Sequence, residues 1–389
     1  MKYDFDEIID REHSNSMKYS GGRESNEYLP EKYIPMWVAD MDFACPPPVI
    51  DAMKRRLDRR ILGYSMPYEQ SYYDAVCSWL ERRHALKAER GNIVYSSGIV
   101  TAMGVAVTRL TSPGDSVLIM SPSYKPFYNS CIENGRTPLF SRLKENDGYY
   151  TVDFEDFEAK AKRRDVTLCF LCSPHNPTGR VWSRAELSEI GRICFENNVF
   201  VFSDEIHCDL TRTGVKHILF ASLFPDEKRI ITATAPSKTF NLAGNQLSNL
   251  VIADEKIASD WRDAHRCGLP NPLAIDACVA AYNECEDWLD ELRLYLDANM
   301  KMIDTYVKEE LESARFCVPE GTYLAWLDLR GLKKSDAELK EAISRAGLFI
   351  EYSDDFCDNG DGFVRINAAC PHSVLKNALD CLKSAFNQS

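Results

Sequence analysis

Lys238 stands in Ala235-Pro236-Ser237-Lys238-Thr239-Phe240, directly after the apolar run IITAT. An amine placed there can add to a carbonyl if desolvation and cationic neighbours keep it unprotonated. Four other apolar runs end in residues of complementary kinds. Ser97-Gly98-Ile99-Val100 opens a helical stretch, and its glycine lets backbone N–H groups close on an anion. Ser121-Pro122-Ser123-Tyr124 offers an aromatic face, and the segment SPHNPTG at 173–179 supplies the amide of Asn176. Asp204-Glu205-Ile206-His207 supplies a carboxylate. Singly, these are ordinary features: a helix cap, a turn, a core aromatic, a surface Ser-Lys pair. Jointly they form a set of anion cradle, aromatic plate, amide, carboxylate and amine.

The elements carrying these residues explain why they should meet. Strand candidates are Asn92–Ser96, Ser116–Met120, Val166–Cys172, Val199–Ser203 and Ile230–Thr234, each short and apolar. Between two of them, Ser183–Asn198 repeats Leu187, Ile190 and Cys194 at helical spacing, with Ser183 and Glu186 placed as a capping box. Strands alternating with helices predict an α/β fold with a mainly parallel sheet covered on both faces. Ligands bind such sheets at the carboxyl ends of the strands, so all five segments should share one rim. Further on, Leu289, Leu292, Leu296, Met300, Ile303, Val307 and Leu311 predict one long helix bridging two units. Runs at 323–329 and 363–367, with a helical pattern at 335–346, predict a second, smaller α/β unit. The expected division is an N-terminal arm over 1–48 packed with the small domain, a large domain over 49–285 and a small domain over 286–389.

Composition narrows the partners. The 389 residues carry 46 Lys and Arg against 59 Asp and Glu, a net charge of −13. No run of five or six basic residues offsets that field, which disfavours nucleic acid and anionic lipid and favours a small molecule. The start MKYDFDEIIDREHS lacks an apolar signal core, and no apolar run is long enough to span a bilayer. A cytoplasmic chain whose 14 cysteines are free is therefore expected. Cys169 and Cys172 lie three apart in a strand and point to opposite faces, so they do not make a metal site. No GxGxxG follows a strand and no GxxxxGK[ST] is present, which sets aside dinucleotides and ATP.

The five-part set matches the needs of pyridoxal 5′-phosphate. Its phosphate suits a helix N-terminus and its ring an aromatic plate; its ring nitrogen needs a buried carboxylate to stay protonated, and its aldehyde needs an amine. The motifs SPHNPTGRVWSRAEL, SDEIHCDL and PSKTFNLAG resemble the fold-type I enzymes of the class I/II aminotransferase group. PMWVADMDF at 35–43, GYS at 63–65, DEIH at 204–207 and VRINAACP at 364–371 resemble its MalY/PatB branch of cystathionine β-lyases and C–S lyases. The resemblance implies a PLP-dependent transferase-like fold and a role for each matching residue. Lys238 would hold the cofactor as a Schiff base and move the Cα proton, Asp204 would pair with the ring nitrogen, and Asn176 would donate to the phenolic oxygen. Tyr124 would stack on the ring, and the Gly98, Ile99 and Val100 backbone with the Ser237 hydroxyl would hold the phosphate. Tyr64 would reach that phosphate from the neighbouring subunit of a homodimer. Arg365, assisted by backbone near Ala39, would grip the substrate α-carboxylate. His207 stands where many aminotransferases have Tyr, and Gln246 where many have a phosphate-binding Arg; both favour the lyase branch. Asn245, where that branch is expected to have Leu, has no explanation in the sequence. The implied activity is β-elimination from sulfur amino acids. An aminotransferase, or a regulator acting through a partner protein, are the alternatives.

Overall fold

The computed structural model describes residues 2–387. Seven strands form the main sheet: β1 (Ile93–Ser96), β2 (Ser116–Ser121), β3 (Thr137–Arg142), β4 (Val166–Cys172), β5 (Phe200–Asp204), β6 (Ile230–Thr234) and β7 (Ser248–Ile252). Their order across the sheet is β1-β7-β6-β5-β4-β2-β3. Only β7 runs antiparallel to its neighbours; the other pairs are parallel. The five predicted strands are all present. β3 and β7 escape the sequence pattern because TPLFSR is an edge strand with proline and arginine, and SNLVI starts with two polar residues.

Period-two alternation builds a core on each face of this sheet. Leu118, Met120, Cys169, Leu171 and Val201 pack with Leu187, Ile190 and Ile193 of the helix Arg184–Glu196. Val117, Ile119, Leu168, Phe170, Cys172 and Phe202 pack with Ala102, Met103, Ala106 and Val107 of the helix Ile99–Leu110. Each of the larger side chains stabilises the fold by about 1.5–3 kcal/mol on leaving water. Cys169 and Cys172 do fall on opposite faces, and the cysteines are free thiols. The capping box forms as expected: Glu186 N donates to Ser183 Oγ at 3.2 Å and Ser183 N to Glu186 Oε2 at 2.8 Å.

A second, antiparallel sheet contains β8 (Arg315–Phe316), β9 (Leu324–Asp328), β10 (Glu351–Tyr352) and β11 (Phe363–Asn367), in the order β8-β9-β11-β10. The helices Asp336–Arg345 and His372–Asn387 cover it. The long helix Glu286–Glu310 joins the two cores. Its Leu289, Leu292 and Leu296 pack beside Val251 and Leu247, whereas Met300, Ile303 and Val307 pack beside Leu327 and Ile366. No helix among the described residues is long and apolar enough to cross a membrane.

The first 48 residues are more ordered than their polar composition implies. They contain the helical turns Met17–Ser20 and Gly22–Ser25, and Ile34–Pro35 pairs in parallel with Leu348–Phe349. Lys18 is fully buried, donating to Asp42 Oδ2 at 2.7 Å and to the Asp40 carbonyl at 3.1 Å. Arg11 binds Asp40 and Asp42 from the other side, at 2.6 and 2.8 Å. These ion pairs fix residues 37–42, which form one wall of the site.

The turn after β4 depends on Gly179, whose φ is +69° and whose Cβ would stand 2.2 Å from Pro319 Cβ. Both constraints exclude a side chain. Gly179→Ala is expected to lose about 2–4 kcal/mol from left-handed strain and overpacking together. Urea unfolding measures this, and a loss under about 1 kcal/mol would show that the turn readily relaxes.

Candidate active site

The carboxyl ends of β1, β4, β5 and β6 open into one cavity of about 440 Å³. Lys238 reaches it from a single helical turn, Pro236–Thr239, that follows β6. Thr239 tethers the turn by donating to Asp209 Oδ2 at 2.8 Å, and Asp209 is itself held by His84 at 2.7 Å. Lys238 Nζ donates to the Ala39 carbonyl at 2.6 Å, a bond from the main sheet to the arm. Burial, then the charge of Arg365, lowers the Lys238 amine to about 8.

Asp204 ends β5, buried, and its Oδ1 accepts from Ile206 N at 3.2 Å. Burial pushes its carboxyl up to about 7, against the pull of that N–H and of Lys238. Its backbone carbonyl accepts from Ser173 N at 3.0 Å and so docks the 173–179 loop against β5. That loop presents Asn176, whose Oδ1 accepts from Arg365 Nη1 at 2.8 Å. The amide N–H₂ is thereby left to donate into the cavity, which Asn176 lines. Tyr124 also lines the cavity, its hydroxyl pushed up to about 12 by burial. It is held by pairing of Ser123–Tyr124 with Phe356–Cys357.

Gly98 caps the helix Ile99–Leu110, and Gly98, Ile99, Val100 and Ser237 line the same cavity. A Cβ on Gly98 would meet no atom within 4 Å, so the space before this helix N-terminus is open. His207 lines the cavity as well, with Nδ1 buried and without a hydrogen-bond partner among the described residues. Burial, then Lys238 and Arg365, holds its imidazole well below the usual histidine range, hence neutral. The set suits a flat, phosphorylated aromatic with a basic ring nitrogen, a hydroxyl and a reactive carbonyl.

Residues 31–382 match the family model for aminotransferase class I and II. The chain belongs to this family. Cystathionine beta-lyase PatB of Bacillus subtilis (strain 168) is 44% identical over 359 residues, covering 91% of this chain and 92% of PatB. Protein MalY of Escherichia coli (strain K12) is 31% identical over 403 residues, covering 99% of each chain. The PLP-bound C-S lyase from Staphylococcus hominis, crystallised with the inhibitor L-cycloserine, matches with a TM-score of 0.95 and 40% identity. That match covers 99% of this chain and 98% of the lyase. The expected family and its mixed α/β, PLP-dependent transferase-like fold are thereby established.

Of the residues predicted for the site, all but Tyr64 line the cavity. Tyr64 is fully exposed on this chain. The Ala39 carbonyl accepts from Lys238 and Tyr323, and two residues earlier the Trp37 carbonyl accepts from Arg365 at 3.2 Å. Gln246 lines the cavity and Asn245 does not. Glu351 was not legible beforehand. It lies opposite Arg365 in the β10–β11 register, a relation that appears only once the strands pair.

An amine at about 8 is half unprotonated there, where an ordinary lysine needs pH 10.5. Competitive acetylation of the cofactor-free protein, read by peptide mass spectrometry, should show Lys238 labelling rise with pH about a midpoint near 8. A midpoint above about 10 would mean that burial does not act on the amine.

Proposed function

We propose that this chain is a pyridoxal 5′-phosphate-dependent carbon–sulfur β-lyase. It converts cystathionine- or cysteine-type L-amino acids to a thiol, pyruvate and ammonia. The observation that carries this reading is the convergence of Lys238, Asp204, Asn176 and Arg365 on one cavity, in a chain 44% identical to a cystathionine beta-lyase.

The residues fit the cofactor. The open N-terminus at Gly98, with Ser237 beside it, suits the phosphate. Asp204 is a buried carboxyl with no cation bonded to it among the described residues, and a protonated ring nitrogen would ionise it and hold it. The Asn176 amide and the unpartnered His207 Nδ1 suit the phenolic oxygen, and Tyr124 supplies the plate. When bound, pyridoxal 5′-phosphate supplies an aldehyde for the substrate amine and a conjugated ring that accepts the electrons released at Cα.

The chain's own residues do the rest. Arg365 takes the α-carboxylate and fixes the orientation of Cα. Lys238, whose amine lies in the cavity, would remove the Cα proton. The Cβ–S bond then breaks with its electron pair on sulfur, and the proton held on Lys238 can neutralise the thiolate. Water hydrolyses the remaining fragment to pyruvate and ammonia. Asp204 keeps the ring nitrogen protonated throughout.

The reading extends to a homodimer in which Tyr64 reaches the neighbouring phosphate site, acting in the cytoplasm on a small amino acid. It also divides the chain into an arm, a large cofactor-binding domain and a small domain, with boundaries near 48 and 285.

Incubated with L-cystathionine and no keto acid, the holoenzyme should release thiol and pyruvate together. Strict dependence on a keto acid would make it an aminotransferase instead. Lys238→Ala should lower turnover by about 10³-fold or more; retained turnover would remove its proton-transfer role. Asp204→Ala should weaken cofactor binding and turnover together, and near-normal rates would contradict its pairing with the ring.

A further inference from the structure

The guanidinium assigned to the substrate's α-carboxylate already faces a carboxylate of the chain itself. Glu351 on β10 lies directly opposite Arg365 on β11, and its Oε2 contacts Nη2. Arg365 is buried; Nη1 is bound to Asn176 Oδ1 and Nη2 also donates to the Trp37 carbonyl. Its Nε is buried and has no hydrogen-bond partner among the described residues. Nε and Nη2 form one edge of the guanidinium, able to grip a carboxylate at two points. Glu351 sits at one end of that edge.

Two carboxylates on one guanidinium repel each other, so an incoming α-carboxylate loosens Glu351 from Arg365. Glu351 also lines the cavity, and its side chain keeps 19% of its surface exposed, so it has space to turn into. A buried carboxylate stripped of its counter-ion is costly. Burial already raises Glu351 to about 7 with Arg365 beside it. Arg365 apart, Lys238 is the one lysine or arginine among the described residues lining the cavity, and the reaction commits its amine to Cα. A cation carried by the substrate would supply the compensating charge.

We propose that Glu351 determines substrate preference: displaced from Arg365 by the α-carboxylate, it binds an ammonium group carried on the sulfur substituent. The favoured class is L-cysteine thioethers with an amino group beyond the sulfur. This rests on the lyase reading above, and it adds a residue and a charge requirement to it.

The test compares the wild-type holoenzyme with E351Q and E351D on S-(2-aminoethyl)-L-cysteine and S-propyl-L-cysteine, which match in shape and differ in charge. Pyruvate release gives kcat/KM, and calorimetric titration gives Kd independently of turnover. The wild type should favour the aminoethyl compound by about tenfold or more in both measures. In E351Q the ratio should fall to within about twofold, and E351D, which keeps the charge, should retain most of it. A wild-type ratio near one, or a ratio unchanged in E351Q, overturns the proposal. If neither compound nor L-cystathionine yields pyruvate the lyase reading fails, while the Kd ratio still decides the role of Glu351. If E351Q does not fold, the wild-type and E351D ratios decide it.

Discussion

A buried guanidinium has to be neutralised and hydrogen-bonded, and Arg365 meets that demand by drawing three parts of the chain to one point. Asn176 comes from the loop after β4 of the main sheet, the Trp37 carbonyl from the N-terminal arm, and Glu351 from the neighbouring strand of the small sheet. The bond from Lys238 to the Ala39 carbonyl ties the main sheet directly to the same arm segment. The Lys18 and Arg11 ion pairs make that arm segment rigid enough to serve as a wall. The cavity is thus a product of docking: neither sheet encloses it without the other.

Burial also sets the chemical state of the groups inside. Lys238 is lowered to about 8, and Asp204 and Glu351 are each raised to about 7. In all three, desolvation is the first cause, and it drives each group toward its uncharged form. An amine near neutrality can attack a carbonyl and later carry a proton. A carboxyl near neutrality gains most from a cation placed against it, whether a ring nitrogen at Asp204 or an ammonium at Glu351. The ligands therefore complete an electrostatic arrangement that the protein alone leaves open.

Much of this was legible in the sequence for a definite reason. Core strands of a parallel sheet are continuous apolar runs, so β1, β2, β4, β5 and β6 stood out, and the rule that ligands gather at strand carboxyl ends directed attention to Lys238, Asp204, Asn176 and Tyr124. What stayed hidden depends on pairing between distant segments. Glu351 becomes a site residue only through its register with Arg365, and Trp37 only through the fold of the arm. The helical turns and parallel bridge of the arm lie in sequence too polar to announce them, since buried ion pairs and a few scattered apolar anchors such as Phe5, Met36 and Phe43 hold it. Tyr64 carries no local signal beyond its motif, because the partner proposed for it lies on a second subunit.

The claim on which the rest turns is that Lys238 carries the cofactor. Borohydride reduction of the protein loaded with pyridoxal 5′-phosphate, followed by proteolysis and mass spectrometry, tests it without reference to any substrate. The expected result is about one phosphopyridoxyl label per chain, on the peptide containing Lys238. Labelling of a different lysine, or none at all, would contradict the assignment.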